Sequence, residues 1–440
     1  MTETGERRRR TGPRPFLTPT AYILFVLLTL MVVAPIITAG GPMTGNGNVF
    51  RQVTYAILFA ATMWAVGILQ QWRKLLIVPL SLMLAIGWCW LSVTWAIDPM
   101  ISFRRLLLTT MIIWTIFLVI DDCGYDRTIK VLMIFLTALL VANYVAIAVS
   151  PSAVHSLADS MDAGLVGDWR GLLPQKNFTG AICALTILIF TFGGQRMWLA
   201  LRIAIIVATA YYLFRTQSKT SMGMLVTALV SGAVALRFKP KYRIALIPVL
   251  LIGSIFAMLS SMKWWDEMLG PFQRQDALTG RVQIWPHLFN YAQDHPLTGS
   301  GYGSFWNIGE NSPVYQYTKN WVSELGNGHN GYIDLLVQIG VPGLVLAVVA
   351  TIIAPAVRLL STSVAGRSQL ALLIAMLVFC AGHNMTESSL LERDTIIEVF
   401  LMFTIALTGV ITRRSSKPAR APSPERREGS SSRRRSTARA

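Results

Sequence analysis

The sequence predicts an all-α, polytopic integral membrane protein. Three observations carry that reading. Over half of the 440 residues (53%) are hydrophobic and only 14% are charged. The apolar residues gather into many runs of about 17–25, the length that crosses a bilayer. Strongly basic segments lie at both ends of the chain.

Twelve apolar runs qualify as spans: 20–38, 53–69, 75–95, 106–120, 129–149, 178–194, 198–214, 221–236, 243–261, 331–355, 368–386 and 395–412. The fourth and eighth are short and read as tilted or partly interfacial. The organisation expected is a basic tail over 1–19, a membrane domain over 20–412, and a second basic tail over 413–440.

The net charge of +17 resembles that of a nucleic-acid binder until it is located. Eleven of those charges sit in the tails, from Arg7–Arg10 and Arg14 to Arg433–Arg435. Ser, Pro and Arg dominate there, a composition that solvates a chain and does not pack it. The tails therefore read as topology anchors beside anionic lipid, with no nucleic acid as partner. Basic residues on the cytoplasmic side of a membrane put both termini inside. The short basic loops agree, among them Arg73-Lys74, Arg196 to Arg202 and Arg358 to Arg367. The long loops 150–177 and 262–330 then fall outside. The first span can serve as signal anchor. Cys89, Cys123, Cys183 and Cys380 show no metal-ligand spacing, so neither a disulfide nor a metal site is expected.

This topology sorts the polar residues. All five histidines fall on the outer side, as do Arg51, Arg104, Arg105, Arg170, Lys176, Arg215, Lys219, Arg281 and Arg393. Cations held at an outer face, against the positive-inside bias, suit an anionic group at headgroup depth. Arginine clamps phosphate bidentately, so a lipid-linked phosphate or diphosphate fits. Their alternative is snorkelling anchors and loop charges. The span interiors hold few ionisable groups, with Asn143 among the few strongly polar side chains. Ion-coupled transporters carry charge near the midplane, and no internal repeat is visible, which favours an enzyme over a transporter or flippase.

The motifs lie mostly in 279–344. Thr279-Gly280-Arg281 is followed by Trp285, His295-Pro296-Leu297 and the Gly299/Gly301/Gly303 loop. Then come His329-Asn330-Gly331-Tyr332, Gly340 and Gly343-Leu344. Upstream stand Trp169-Arg170-Gly171, Lys176-Asn177 and Arg215-Thr216-Gln217-Ser218-Lys219-Thr220-Ser221. In this order the pieces resemble the superfamily of O-antigen ligases and Wzy-type polymerases, with the flavour of ExoQ-like exopolysaccharide-production polymerases. The resemblance covers roughly 80–400. It implies a GT-C-like membrane glycosyltransferase of the bacterial inner membrane, working on the periplasmic face without nucleotide sugar or metal. Its donor would be a glycan on undecaprenyl diphosphate.

The residues suit that chemistry. A lipid diphosphate is already a good leaving group. The protein must position it, stabilise its growing charge and deprotonate an acceptor hydroxyl. Arg281 opens a helix expected over 281–293 and is the first choice for a diphosphate contact, the alternative being a salt bridge to Asp276 or Asp294. Arg170 and Lys176 are second choices, and Arg215 and Lys219 complete the donor set. His329 stands two residues before the tenth span, where a helix N-terminus suits a neutral imidazole acting as general base. Its alternative is a cap or headgroup anchor. The glycine loop reads as flexible or approachable by phosphate. Asn330, Tyr302 and Trp285 are the expected acceptor-binding residues, though interfacial tryptophan is an equally good reading of the aromatics. His295 reads as a turn residue, and Glu324 and His383 as reserve bases. No cofactor is expected.

The function expected is transfer of the glycan to a sugar hydroxyl, building exopolysaccharide or O-antigen polymer. Ligation of O-antigen to lipid A-core is the near alternative. Expected partners are the lipid-linked glycan, a glycan or lipid A-core acceptor, membrane lipids, and chain-length and export proteins.

Overall fold

The computed structural model of the protein describes residues 18–38, 48–156, 165–237, 281–318 and 321–413. Across them the chain is helical and contains no strand, only an isolated bridge between Val154 and Trp169. The main helices are α1 (Pro19–Thr38), α2 (Val49–Val66), α3 (Leu80–Ser92) and α4 (Pro99–Val149). They continue with α5 (Lys176–Gly193), α6 (Leu199–Thr216), α7 (Lys219–Arg237) and α8 (Arg281–Asp294). Then follow α9 (Gly331–Val348), α10 (Ala354–Ser361), α11 (Arg367–His383) and α12 (Ile396–Arg413). Eleven of the expected spans coincide with these helices. The ninth, 243–261, lies outside the described residues, as do the tails up to Leu17 and from Arg414.

Among the described residues, seven helices are long and apolar enough to cross a membrane: α2, α4, α5, α6, α7, the continuous stretch Gly331–Ser361, and α12. Shorter apolar helices occupy Pro19–Val33, Leu80–Trp95 and Arg367–His383. The protein is a multi-pass, all-α membrane protein.

α4 holds 51 residues. A straight helix of that length would run about 75 Å, far beyond a hydrocarbon core of about 30 Å. It breaks at Gly124, whose φ of 71° and ψ of 172° are not helical. Expected spans 106–120 and 129–149 are its two legs, joined by a sharp helical corner where a loop was expected. Each tip of α4 is held by an outer loop. At one tip, Asp98 N–H donates to Ser304 Oγ at 2.7 Å. Near the other tip, Asn143 Oδ1 accepts from Leu172 N–H at 2.9 Å.

Burial separates the centre of the bundle from its rim. Within the spanning windows, 83% of α12 and 72% of α5 is buried, against 22% of α2. Trp64 on α2 and Val207 and Phe214 on α6 are exposed and apolar, as lipid-facing positions must be. α7 packs along α11, and α12 lies against α4 and α11.

The Gly340-Val341-Pro342-Gly343 motif has a structural explanation. Gly340 sits at φ 68° inside α9. A Cβ there would lie 2.4 Å from the Leu297 backbone, so no larger residue fits. The break lets Val341 N–H donate to Pro296 O at 2.8 Å. The His295-Pro296-Leu297 turn is thus docked into the helix break.

Candidate active site

The polar contacts of the bundle gather at the end where α2, α4, α5, α7, α9 and α12 begin. The first functional side chain there is His329. Asn330 caps α9, its Oδ1 accepting the N–H groups of Tyr332 and Ile333 at 3.0 and 3.1 Å. Its Nδ2 donates to Met385 O at 3.0 Å, and its own N–H to Ser388 Oγ at 3.0 Å. Gly331 N–H donates to Asn384 O at 2.8 Å. These bonds dock the start of α9 on the loop that follows α11.

Two further residues fix the turn before His329. Buried Asp334 accepts Gly328 N–H at 2.9 Å and Trp306 Nε1–H at 2.9 Å. Trp285 Nε1–H donates to Gly328 O at 3.0 Å. Held this way, His329 takes φ 51°, a left-handed conformation uncommon for a residue with a side chain. Its ring is 29% exposed, and Nδ1 lies 3.5 Å from Oε2 of buried Glu387.

Glu387 begins a string of polar groups running through the motifs. Its Oε1 accepts from Asn177 Nδ2 at 2.7 Å. Asn177 Oδ1 accepts from Ser218 Oγ at 3.2 Å, and Ser218 Oγ lies 3.0 Å from Ser221 Oγ. Ser221 Oγ lies 3.4 Å from Nε2 of buried His383. The Lys176-Asn177, Ser218–Ser221, His329-Asn330 and His383-Asn384 pieces, scattered in sequence, thus meet.

A cation patch adjoins them. Lys176 Nζ pairs with Asp168 at 2.5 Å. The Arg215 guanidinium lies 4.5 Å from the centre of the Trp169 ring, and Arg215 O accepts Trp169 N–H at 3.0 Å. Arg170 Nε–H donates to Ser152 O at 2.6 Å, and exposed Lys219 opens α7. With Asp168 as the carboxylate among them, the patch is net positive. Trp169 packs edge-on against Tyr144, Tyr211 and Tyr212, so its ring is enclosed. Arg281 is the first residue of α8. Its side chain lies outside the described residues, as do Thr279, Gly280 and the Glu324 side chain.

A cavity of about 210 Å³ opens between the start of α4, the loops 303–307 and 326–327, the start of α9 and the loop 388–395. Arg105, Trp306, Asn327, Asp334, Glu392 and Arg393 are among its lining residues. Arg105 donates to the carbonyls of Gly303, Trp306 and Asn307 at 2.5, 2.9 and 3.0 Å. Arg393 Nε–H donates to Glu392 Oε1 at 2.7 Å. Burial works to raise the Glu392 pKa, but Arg393, with Arg105 and Arg51 behind it, holds the carboxyl below its usual value. Beside the cavity, Arg51 Nε–H donates to Asp394 Oδ2 at 3.0 Å. The cavity's two arginines are matched by two carboxylates, Asp334 and Glu392.

Several expectations change. Tyr302, expected at the acceptor, is 2% exposed. Its hydroxyl lies 2.8 Å from Thr109 Oγ1 and 2.5 Å from Leu391 O, and burial pushes its pKa well up. It is a buttress and offers no face to a sugar. The glycine loop is packed tight at Gly299 and Gly301, and only Gly303 among its three glycines lines the cavity. Gly299, Gly301 and Gly303 all have positive φ, and a Cβ on Gly301 would lie 2.4 Å from Ala96. Asn330 and Trp285 are occupied in fixing the His329 turn. His383 is fully buried, and His295 lies against Tyr291 with ring centres 4.6 Å apart.

Sequence reasoning missed Glu387, Asp334 and the Glu392–Arg393 pair as site residues. The signal available was their density: Glu387, Glu392, Arg393 and Asp394 crowd a short segment between two spans.

Residues 180–348 match the family described as O-Antigen ligase. The chain is also 29% identical over 190 residues to the exopolysaccharide production protein ExoQ of Rhizobium meliloti (strain 1021). That alignment takes in 40% of this chain and 43% of the relative, so the likeness spans less than half of either protein. The family match runs from the start of α5 through Arg215, Lys219, Arg281 and His329, and ends before Glu387. The resemblance read from the motifs therefore holds: this multi-pass membrane protein is similar to the O-antigen ligases and to an ExoQ exopolysaccharide protein.

Proposed function

We propose that the protein is a membrane glycosyltransferase that moves a glycan from undecaprenyl diphosphate to a sugar hydroxyl, extending exopolysaccharide or O-antigen. The observation that carries this reading is His329, held in a left-handed turn between cavity-lining Asn327 and Gly331 with its Nδ1 facing Glu387.

The donor diphosphate lies against the net-positive patch of Arg170, Lys176, Arg215 and Lys219, joined by Arg281. The acceptor sugar enters the 210 Å³ cavity, whose balanced charges and amides suit a neutral, hydroxyl-rich ring. That volume is on the order of seven waters, enough for a sugar unit and small beside a drug-sized pocket. His329 takes the proton of the acceptor hydroxyl. The oxygen attacks the anomeric carbon and forms the new glycosidic bond. The bond from that carbon to the diphosphate oxygen breaks, and undecaprenyl diphosphate departs with the electron pair. The cations stabilise the charge that grows on it.

Both termini lie in the cytoplasm and the site faces the periplasm of the inner membrane in this reading. The lipid-linked glycan and a glycan acceptor are its substrates, and chain-length and export proteins its partners. The test is purified protein in lipid vesicles given glycan-linked undecaprenyl diphosphate. Elongated glycan and released carrier are expected. Movement of the donor across the membrane with no new glycosidic bond would overturn the reading in favour of a flippase. A cysteine at exposed Asn311 should react with an impermeant label only from the periplasm, and cytoplasmic labelling would invert the site assignment.

A further inference from the structure

We infer that Glu387 is the positioning residue for His329, fixing its tautomer and ring so that Nε2 is the atom left to take a proton. The inference rests on His329 acting as the base proposed above.

A buried carboxylate must find partners, and Glu387 divides its two oxygens between two of them. Oε1 accepts from Asn177 Nδ2 at 2.7 Å, and Oε2 faces His329 Nδ1 at 3.5 Å. An ionised carboxylate is an acceptor only. It therefore favours the imidazole with its proton on Nδ1, which leaves the Nε2 lone pair for the acceptor hydroxyl. Nucleophile, base and orienting group stand in this relation in many unrelated active sites.

Each side of the pair is independently held. Asp334 and Trp285 fix the turn that carries His329. Glu387 N–H donates to His383 O at 3.0 Å, and Asn177 is itself held by Ser218. Asn177 is the second residue of α5, so the ring orientation at α9 is set from a different helix. The segment that carries Glu387 lies beyond the region matched by the O-antigen ligase family.

The variants that decide this are Glu387→Gln, Glu387→Asp and His329→Gln in the full-length protein in vesicles. Glutamine keeps the volume and can still accept from Asn177. Toward His329 it can present an amide N–H, which reverses the tautomer. Glu387→Gln should lower kcat by about 10²–10⁴-fold, the usual scale of acid–base catalysis, with donor KM within about three-fold of normal. Glu387→Asp should recover part of that loss. Nitrogen NMR of histidine-labelled protein, with His329→Gln identifying the resonances, should show the Nδ1–H form in the unsubstituted protein and the Nε2–H form in Glu387→Gln. An unchanged tautomer, or kcat within three-fold of normal in Glu387→Gln with normal thermal stability, would reduce Glu387 to a packing bridge. Loss of donor binding together with kcat would do the same. Should His329→Gln keep its turnover, the base assignment fails. The tautomer measurement still reads whether Glu387 orients the ring.

Discussion

The two ends of the helical bundle differ in how they hold their charges. At the end that carries His329, the ion pairs are sheltered. Asp394, paired with Arg51, is 3% exposed, and Glu387, facing His329, is 6% exposed. At the opposite end the pairs stand in the open. Arg196 and Asp126 are 3.9 Å apart with side chains 90% and 64% exposed. Arg413 and Asp121 are 3.2 Å apart, at 51% and 35%. The first kind is costly to leave unpaired and fixes geometry. The second kind is screened by water and salt and contributes little. Backbone geometry follows the same division. His329, Asn307, Leu391 and Arg393 all hold positive φ near the sheltered end. The lesson is that this molecule concentrates costly polar order where chemistry is proposed, and leaves ordinary anchors elsewhere.

The largest effect is expected from His329→Gln. Turnover should fall by about 10²–10⁴-fold while donor affinity is retained. Turnover within a few-fold of normal would make His329 a turn residue and remove the chemical reason for the sheltered end. Next is Arg281→Ala. Loss of a charge-assisted bond worth about 1.5–3 kcal/mol corresponds to roughly 10–150-fold weaker donor use. Arg281→Lys should recover only part, since a point charge lacks the fork. Near-normal polymer from Arg281→Ala would take this residue out of the donor site.

Smaller effects sharpen the contrast. Gly301→Ala must place a methyl 2.4 Å from Ala96 at φ 88°, so about 1–3 kcal/mol of stability should be lost. Gly223→Ala, in α7 with open space around it, is the control and should be neutral or stabilising by up to about 1 kcal/mol. Glu392 gives a pH signature. Its folded pKa is depressed, so its contribution is present above the ordinary value of 4.5 and is lost as pH falls through the lower folded value. Melting curves of the protein and of Glu392→Gln should differ at pH 7 and converge in strong acid; a constant gap would show that the ion pair is not the source. The smallest effect belongs to Arg196→Ala at the open end. It should change stability by under about 1 kcal/mol and leave polymer formation alone. A large loss of activity there would erase the distinction between the ends.

Much of the fold was legible in the sequence because membrane solvation is a local property. Each span must satisfy its own backbone bonds and present apolar side chains, so runs such as 178–194 and 395–412 announce α5 and α12. The corner in α4 was less legible. Gly124 bends a chain that stays helical on both sides, and a charged stretch around Arg127 looks the same as a loop. At the site, His329 stood out by its place before a span. Glu387 did not, because its meaning depends on partners 58 and 210 residues away. Tyr302 looked like a sugar platform because aromatic residues in polar loops share one appearance, whether exposed or used as buttresses.

The all-α membrane architecture and the segments that carry the polar motifs follow from the amino-acid sequence alone, because hydrophobic run length acts within a few residues. The packed structure set which partner Arg51 and Arg105 meet. It matched Arg51 to Asp394 across 343 residues and gave Arg105 to the carbonyls of the 303–307 loop. It also brought Glu387 to His329. Such pairings arise because burial makes an unmatched charge expensive, and burial is a property of the packed helices together.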